Sequence, residues 1–320
     1  MKRLKRYLII ATIIAVVILG IRFTQELEDW SRLAAYRPSS EITRLATTTT
    51  MTPLAQRLFY VNNPTIESKR ASLNLCKSSE HTIVLGCYVV RKGIFLQEVT
   101  DPRLKGVMEV TAAHEMLHVA YQRMSIFEQS KINKQLQQAL SQLQNPRILK
   151  LVATYNNQDP KSVDNELHSI LGTEVNALSP ELEEYYRAYF TNRSTVVALS
   201  ERYEGVFTAL RAKAKILNQQ LITRKSALEQ LSAQVKQEAQ TIESERSTLQ
   251  TAIVANPQGD YGFRISTFND RVRNYNQLVS QLTAQTDTYN QMVTEHNSIA
   301  LEEKSLVESL ENKSMQQVTR

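Results

Sequence analysis

The chain has 320 residues, 42% of them hydrophobic and 22% charged, with two cysteines, which leaves room for one sizeable core plus an extended part. The formal charge is +6, but Lys2, Arg3, Lys5, Arg6 and Arg22 carry five of those charges. The basic balance therefore describes an N-terminal flank, and it excludes a nucleic-acid surface spread over the fold.

The basic flank precedes an apolar run, Tyr7 to Ile21, which Leu4 and Phe23 can extend toward the length of a bilayer span. No small-x-small cleavage site follows the run, so an uncleaved signal anchor over residues 1–22 fits better than a cleaved signal peptide. The positive-inside rule then puts the N-terminus in the cytoplasm and the bulk of the chain outside it, as a single-pass membrane protein. Residues 23–54 are weakly patterned. Arg37 to Ser40 and Thr47 to Thr50 read as turns around a short helix, in a linker that spaces the rest from the membrane.

Residues 55–195 have the composition of a folded domain. Thr82 to Val90 is a β-branched run, Arg91-Lys92-Gly93 can turn it, and Ile94 to Val99 can return, which predicts a β-hairpin. Cys76 and Cys87 are the only cysteines. Outside the cytoplasm an even pair reads as a disulfide, the alternative being two free buried thiols.

Thr111 to Met124 reads TAAHEMLHVAYQRM. It lacks Gly and Pro and is rich in Ala, Met and Leu, so a helix is expected. His114 and His118, four apart, lie one above the other and can offer two imidazoles to one metal, with Glu115 beside them. Val110, Ala113, Leu117, Ala120 and Met124 form a separate apolar stripe for packing. On these residues the chain resembles the zincin metallopeptidases, whose H-E-x-x-H helix binds zinc and whose flanking Glu is the general base. The resemblance implies a small sheet over that helix, with an edge strand that pairs with an extended peptide substrate.

After a second amphipathic helix, Ser125 to Leu143, comes VDNELHSILGTEVNAL over residues 163–178, with Glu166 and Glu174. A catalytic zinc site with two histidines needs a third protein ligand. Helical phase puts Glu174 nearer the middle of the apolar stripe and Glu166 at its edge, unless Gly172 breaks the helix between them. Asn165-Glu166 resembles the opening of the third-ligand helix in gluzincins. The pair of carboxylates followed by Pro180 and an aromatic helix is similar to the layout in Mlc titration factor A and lethal-factor peptidases. The resemblance favours Glu166 as third ligand and gives Glu174 a supporting role or the place of an alternative ligand. Leu167-His168-Ser169 departs from the family, which carries aromatic residues and Ala there, and helical phase turns His168 away from the metal. Gluzincins polarise the substrate carbonyl with a Tyr, His or Arg, for which Tyr155, Tyr185, Tyr186 and Arg187 are candidates.

From residue 196 the pattern becomes heptad. Phe207, Ala214, Leu221, Leu228, Val235, Ile242 and Leu249 repeat every seven residues, and Tyr203, Leu210, Leu217 and Leu231 fill a second seam interrupted by Arg224, Glu238 and Glu245. Asn256 to Gly262 breaks the pattern, which resumes through Phe268, Val272, Tyr275, Val279, Leu282, Tyr289 and Val293. Two helices of about 50 residues, each roughly 75 Å long, would make an antiparallel coiled-coil hairpin that can be cut away near Asn192 to Thr195.

The whole is expected to be α+β and mostly helical: an anchor, a linker, a zincin-like domain and a coiled-coil hairpin. The expected function is extracytoplasmic zinc-dependent peptide hydrolysis, with a peptide or protein substrate and a partner or second copy on the coiled coil. The rival is a non-catalytic envelope scaffold acting through that arm.

Overall fold

The computed structural model describes residues 24–68, 76 and 85–310. The expected anchor, the start of the expected first strand at Thr82 to Val84 and residues 311–320 lie outside these. Among the described residues no helix is long and apolar enough to cross a membrane. The chain forms two compact units, residues 1–206 with 306–320, and residues 207–305.

The first unit is built around helix α4, Val107–Gln122, which carries the H-E-x-x-H. Twelve of its 16 residues are buried, so it is a central helix and not one with a single apolar stripe. Ala112, Ala113 and Ala120 make this possible, because small side chains let neighbouring elements close in on several sides. Those neighbours are helices α2 (Ser40–Thr48) and α3 (Pro53–Tyr60), helix α7 (Val163–Glu174), and two strands.

The stretch expected to be a linker folds onto this core. Residues 24–35 are helical (α1), and Asp29 there is buried and accepts from Nη1 and Nη2 of Arg123, at 2.6 and 2.9 Å. Ser39 caps α2 by accepting from the Ile42 amide, and Thr52 with Pro53 starts α3. Leu45 and Ala46 are fully buried, and Arg44 reaches buried Glu109 of α4 at 2.7 Å. Weak periodicity hid these helices because each is short and joined by capping residues that read as turns.

Three strands, β1 (Thr65–Glu67), β2 (Gly86–Val89) and β3 (Gly93–Gln97), lie in the order β1-β3-β2. β2 and β3 form the expected hairpin, with Cys87 opposite Phe95 and Tyr88 opposite Ile94. β1 adds in parallel to β3, and its three residues are too few to show alternation. The hairpin sits close on α4: a Cβ at Gly86 would lie 2.6 Å from the Thr111 methyl group. Cys76 and Cys87 form a disulfide.

Helix α5 (Ile126–Gln142) opens with a capping box, Ser125 and Glu128. Helix α6 (Pro146–Gln158) follows, capped by Asn145, and both pack with α7. α7 runs through Gly172 without a break. The glycine serves packing: a Cβ there would meet Leu117 of α4 at 2.5 Å and Tyr186 of helix α8 (Pro180–Tyr186) at 2.8 Å. Beyond the end of α7, buried Arg193 donates to the carbonyls of Leu171, Val175 and Asn176 and pairs with Glu183.

Arg193 also begins helix α9 (Arg193–Ala255), and Val196, Val197, Ser200 and Tyr203 on its first turns are buried. Asn192 to Thr195 is therefore tied into the first unit, and the division between units falls inside the helix, at residue 206.

In the second unit α9 and helix α10 (Gly262–Leu310) are joined by a turn at residues 256–261. They run antiparallel, as the pairs Arg211–Glu303, Lys213–Glu295 and Arg271–Glu245 require. The heptad positions Ala214, Leu221, Leu228, Val235, Ile242 and Leu249 are half-buried, as are Leu210, Leu231, Glu238 and Glu245 of the second seam, as in a seam shared by two helices.

Candidate metal centre

His114, Glu115 and His118 offer ligand atoms within 4.8 Å of one another. They sit mid-helix on α4, where the backbone is fixed by neighbours on several sides. The two imidazoles meet edge to face, ring centres 4.6 Å apart. α7 crosses α4 and brings Glu166 to them: its two carboxylate oxygens lie 3.5 Å from His114 Nε2 and 3.6 Å from His118 Nε2. These separations are long for N–H···O hydrogen bonds, whose mode is about 2.9 Å. They are close to the roughly 3.4 Å between two ligands that each stand about 2.0–2.1 Å from a tetrahedral ion.

The second nitrogen of His118 is committed elsewhere. Its Nδ1 lies 3.0 Å from Asn165 Oδ1 and 3.2 Å from Ser169 Oγ. With the Nδ1 proton donated to the amide oxygen, the lone pair is left on Nε2, the atom that faces Glu166. Burial pushes the Glu166 carboxyl up. When His118 and His114 are protonated, their charges, with a hydrogen bond from Tyr155, outweigh that and hold its pKa below the usual carboxylate value.

These groups line a cleft of about 930 Å³. Its walls include β2 from Gly86 to Val89, the disulfide, Tyr121 and Tyr155. Among the described residues β2 pairs only with β3, so it is an edge strand that runs beside Glu115.

The other expected site residues fall in three places. Tyr155 is in the cleft and donates to Glu166. Glu174 also lines the cleft, but its Oε2 is paired with Arg147 at 2.7 Å, and Arg147 is within 3.3 Å of Glu204 as well. Tyr185, Tyr186 and Arg187 are absent from its walls. Tyr185 bonds His168 Nε2 at 2.7 Å, Tyr186 donates to the His168 carbonyl at 2.7 Å, and exposed Arg187 pairs with Glu184. His168 itself is fully buried in this aromatic cluster, and burial, with the charges of His118 and His114, pushes its pKa down to about 3.

Asn165 and Ser169 as partners of a histidine escaped the sequence reading. Their signal is an i, i+4 pair flanking Glu166 on one helix face, which is visible only once Glu166 is taken as the metal-facing residue. No protein-family profile, curated protein or solved structure matches the chain.

Proposed function

We propose that this is a membrane-anchored, extracytoplasmic zinc metallopeptidase of gluzincin type, with His114, His118 and Glu166 as ligands and Glu115 as general base. The observation that carries the reading is the approach of both Nε2 atoms to the two oxygens of one buried carboxylate. Two neutral imidazoles and a carboxylate suit zinc and leave a position open for chemistry. A zinc ion held there supplies Lewis acidity to a peptide carbonyl and to water.

The chain's own residues do the rest. Glu115, buried in the cleft next to the ligands, takes a proton from the attacking water and returns it to the leaving amine. Asn165 and Ser169 hold His118 in one tautomer and one orientation, and Tyr155 steadies the Glu166 carboxylate. Among the described residues β2 has no strand on its outer edge along the cleft, where an extended peptide can add as a further strand and be positioned against Glu115. Extracytoplasmic placement rests on the basic flank and apolar run and is supported by the disulfide, which persists in oxidising compartments.

The test is metal analysis and peptide cleavage by the purified protein and its Glu115→Gln variant. Wild type should carry about one zinc per chain and cleave unfolded protein substrates, and the variant should keep the zinc and lose cleavage. Zinc without any hydrolysis by wild type would favour the rival, a scaffold in which the metal only supports the fold. Full turnover by Glu115→Gln would remove it from the base role.

A further inference from the structure

Helix α1 has one docked side and one open side. Asp29, held by Arg123, marks the docked side, and Arg32 donates to the Arg91 carbonyl at 3.0 Å. At 100° per residue, Leu27, Trp30 and Ala34 fall within an arc of about 60°, from about 100° to about 160° away from Asp29. All three are exposed.

The two tethers bring other apolar groups beside this helix. Arg91 belongs to the β2–β3 turn, where Val90 is exposed. Three and four residues beyond Arg123, at the start of α5, Ile126 and Phe127 are 81% and 88% exposed. In the first unit the exposed large apolar residues among those described are Leu27, Trp30, Leu54, Val90, Ile126, Phe127 and Leu149. Five of these seven, all but Leu54 and Leu149, lie on α1, in the β2–β3 turn that Arg32 holds, or within four residues of Arg123, which Asp29 holds. Soluble surfaces seldom gather large apolar side chains in this way without a use.

We propose that this face rests on the lipid bilayer. The inference depends on the membrane-anchor reading above and goes beyond it: the catalytic-looking unit touches the membrane and is not held away from it by a linker. The chain itself argues for lipid over a protein occupant. The apolar run ends at Ile21, and the nine residues from there to Trp30 reach at most about 32 Å, so the face cannot leave the neighbourhood of the bilayer. Its composition, one Trp with Phe, Leu, Ile and Val, is that of an interfacial contact, in which the indole sits at headgroup level. The β2–β3 turn and the end of α4 that border this face also line the cleft, through Val90 and Gln122, so the cleft opens beside the bilayer surface. Substrates would then be polypeptide segments close to the membrane.

Trp30 is the only tryptophan in the chain, which makes it a built-in probe. The full chain is reconstituted in phosphatidylcholine–phosphatidylglycerol vesicles, and Trp30 fluorescence is titrated with aqueous iodide and with lipids brominated near the headgroup. A Trp30→Phe/Phe127→Trp variant reports the α5 side in the same way. The expected result is iodide quenching several-fold weaker than for free tryptophan, a blue-shifted emission and strong quenching by the bromolipids at both positions. Chain that fails to float with the vesicles overturns the anchor reading and this one with it. Chain that floats with either tryptophan open to iodide overturns this inference alone. Protection from iodide without bromolipid quenching would show a protein surface over the face, and would equally overturn it.

Discussion

His118 Nδ1 lies 3.0 Å from Asn165 Oδ1, and this bond decides which nitrogen of the second histidine faces Glu166. Asn165 is the residue before Glu166, so one turn of α7 supplies both the carboxylate and the group that aims its neighbour. Asn165→Ala should lower zinc affinity by about 10- to 100-fold, as losses of partners behind a metal ligand do. Asn165→Asp keeps an acceptor oxygen and should hold affinity closer to wild type. Competition with a chromogenic chelator measures both, and equal losses in the two variants would mean that the bond to Nδ1 is not what matters.

Glu166 and Glu174 should separate cleanly. Glu166→Ala removes the group 3.5 and 3.6 Å from the two Nε2 atoms and should abolish tight zinc binding. Glu174 is held by Arg147, so Glu174→Ala should leave zinc affinity within a few-fold and reduce stability instead. The loss of a charged, nearly buried partner suggests about 1–3 kcal/mol, moderated by Glu204 at 3.3 Å from the same guanidinium. Zinc affinities in the opposite order would transfer the ligand role to Glu174.

Gly172→Ala places a methyl group where only 2.5 Å separates it from Leu117 Cδ1 and 2.8 Å from Tyr186 Cε1. Overpacking of this kind costs about 1–3 kcal/mol. Since it wedges α7 away from α4, zinc affinity should fall with it, because the carboxylate rides on one helix and the histidines on the other. Adding Leu117→Ala removes the nearest clashing atom, and part of the affinity should return. Urea denaturation of zinc-free and zinc-loaded protein separates the two effects, and strictly additive changes would show that the contact is not shared.

Much of the centre was legible in the sequence because helical phase is local. Four residues of spacing put His114 over His118 whatever the fold. That Glu166 lies beside the two histidines was expected for a different reason, its likeness to a known layout. The fates of Glu174 and Tyr185 were not, because each depends on a partner far along the chain: Arg147 for one, the His168 ring for the other. The same holds for residues 24–48, where packing is secured by Asp29–Arg123 and Arg44–Glu109, contacts that leave no periodic trace. The heptads of the hairpin were legible since two long helices need only each other, whereas the three-residue β1 exists only because β3 lies beside it.

The disulfide closes a loop between residues 11 apart, from Cys76 to Cys87 in the edge strand. Chain-entropy reasoning gives it about 2–3 kcal/mol. Cys76→Ser with Cys87→Ser should lower the urea midpoint accordingly. Mass spectrometry of unreduced protein taken from its native cells should show the two cysteines linked, and two freely alkylated thiols would contradict it.

The fragment 207–305 should fold as a helical hairpin by itself. Its two helices pair along half-buried heptad positions, and its cross-helix ion pairs Arg211–Glu303, Lys213–Glu295 and Arg271–Glu245 are internal to it. A fragment begun near residue 195 should behave worse, since Val196, Val197 and Tyr203 would lose the first unit that buries them and expose apolar surface. Arg271 is the weak point of the seam, because it lies between Glu238 at 3.5 Å and Glu245 at 3.0 Å and is half-buried. Arg271→Ala leaves two carboxylates facing each other in the seam and should cost about 1 kcal/mol, less at high salt, where screening removes part of the repulsion. Circular dichroism with thermal melts in low and high salt reads both effects. A disordered spectrum for the 207–305 fragment would mean that the seam is completed by another chain.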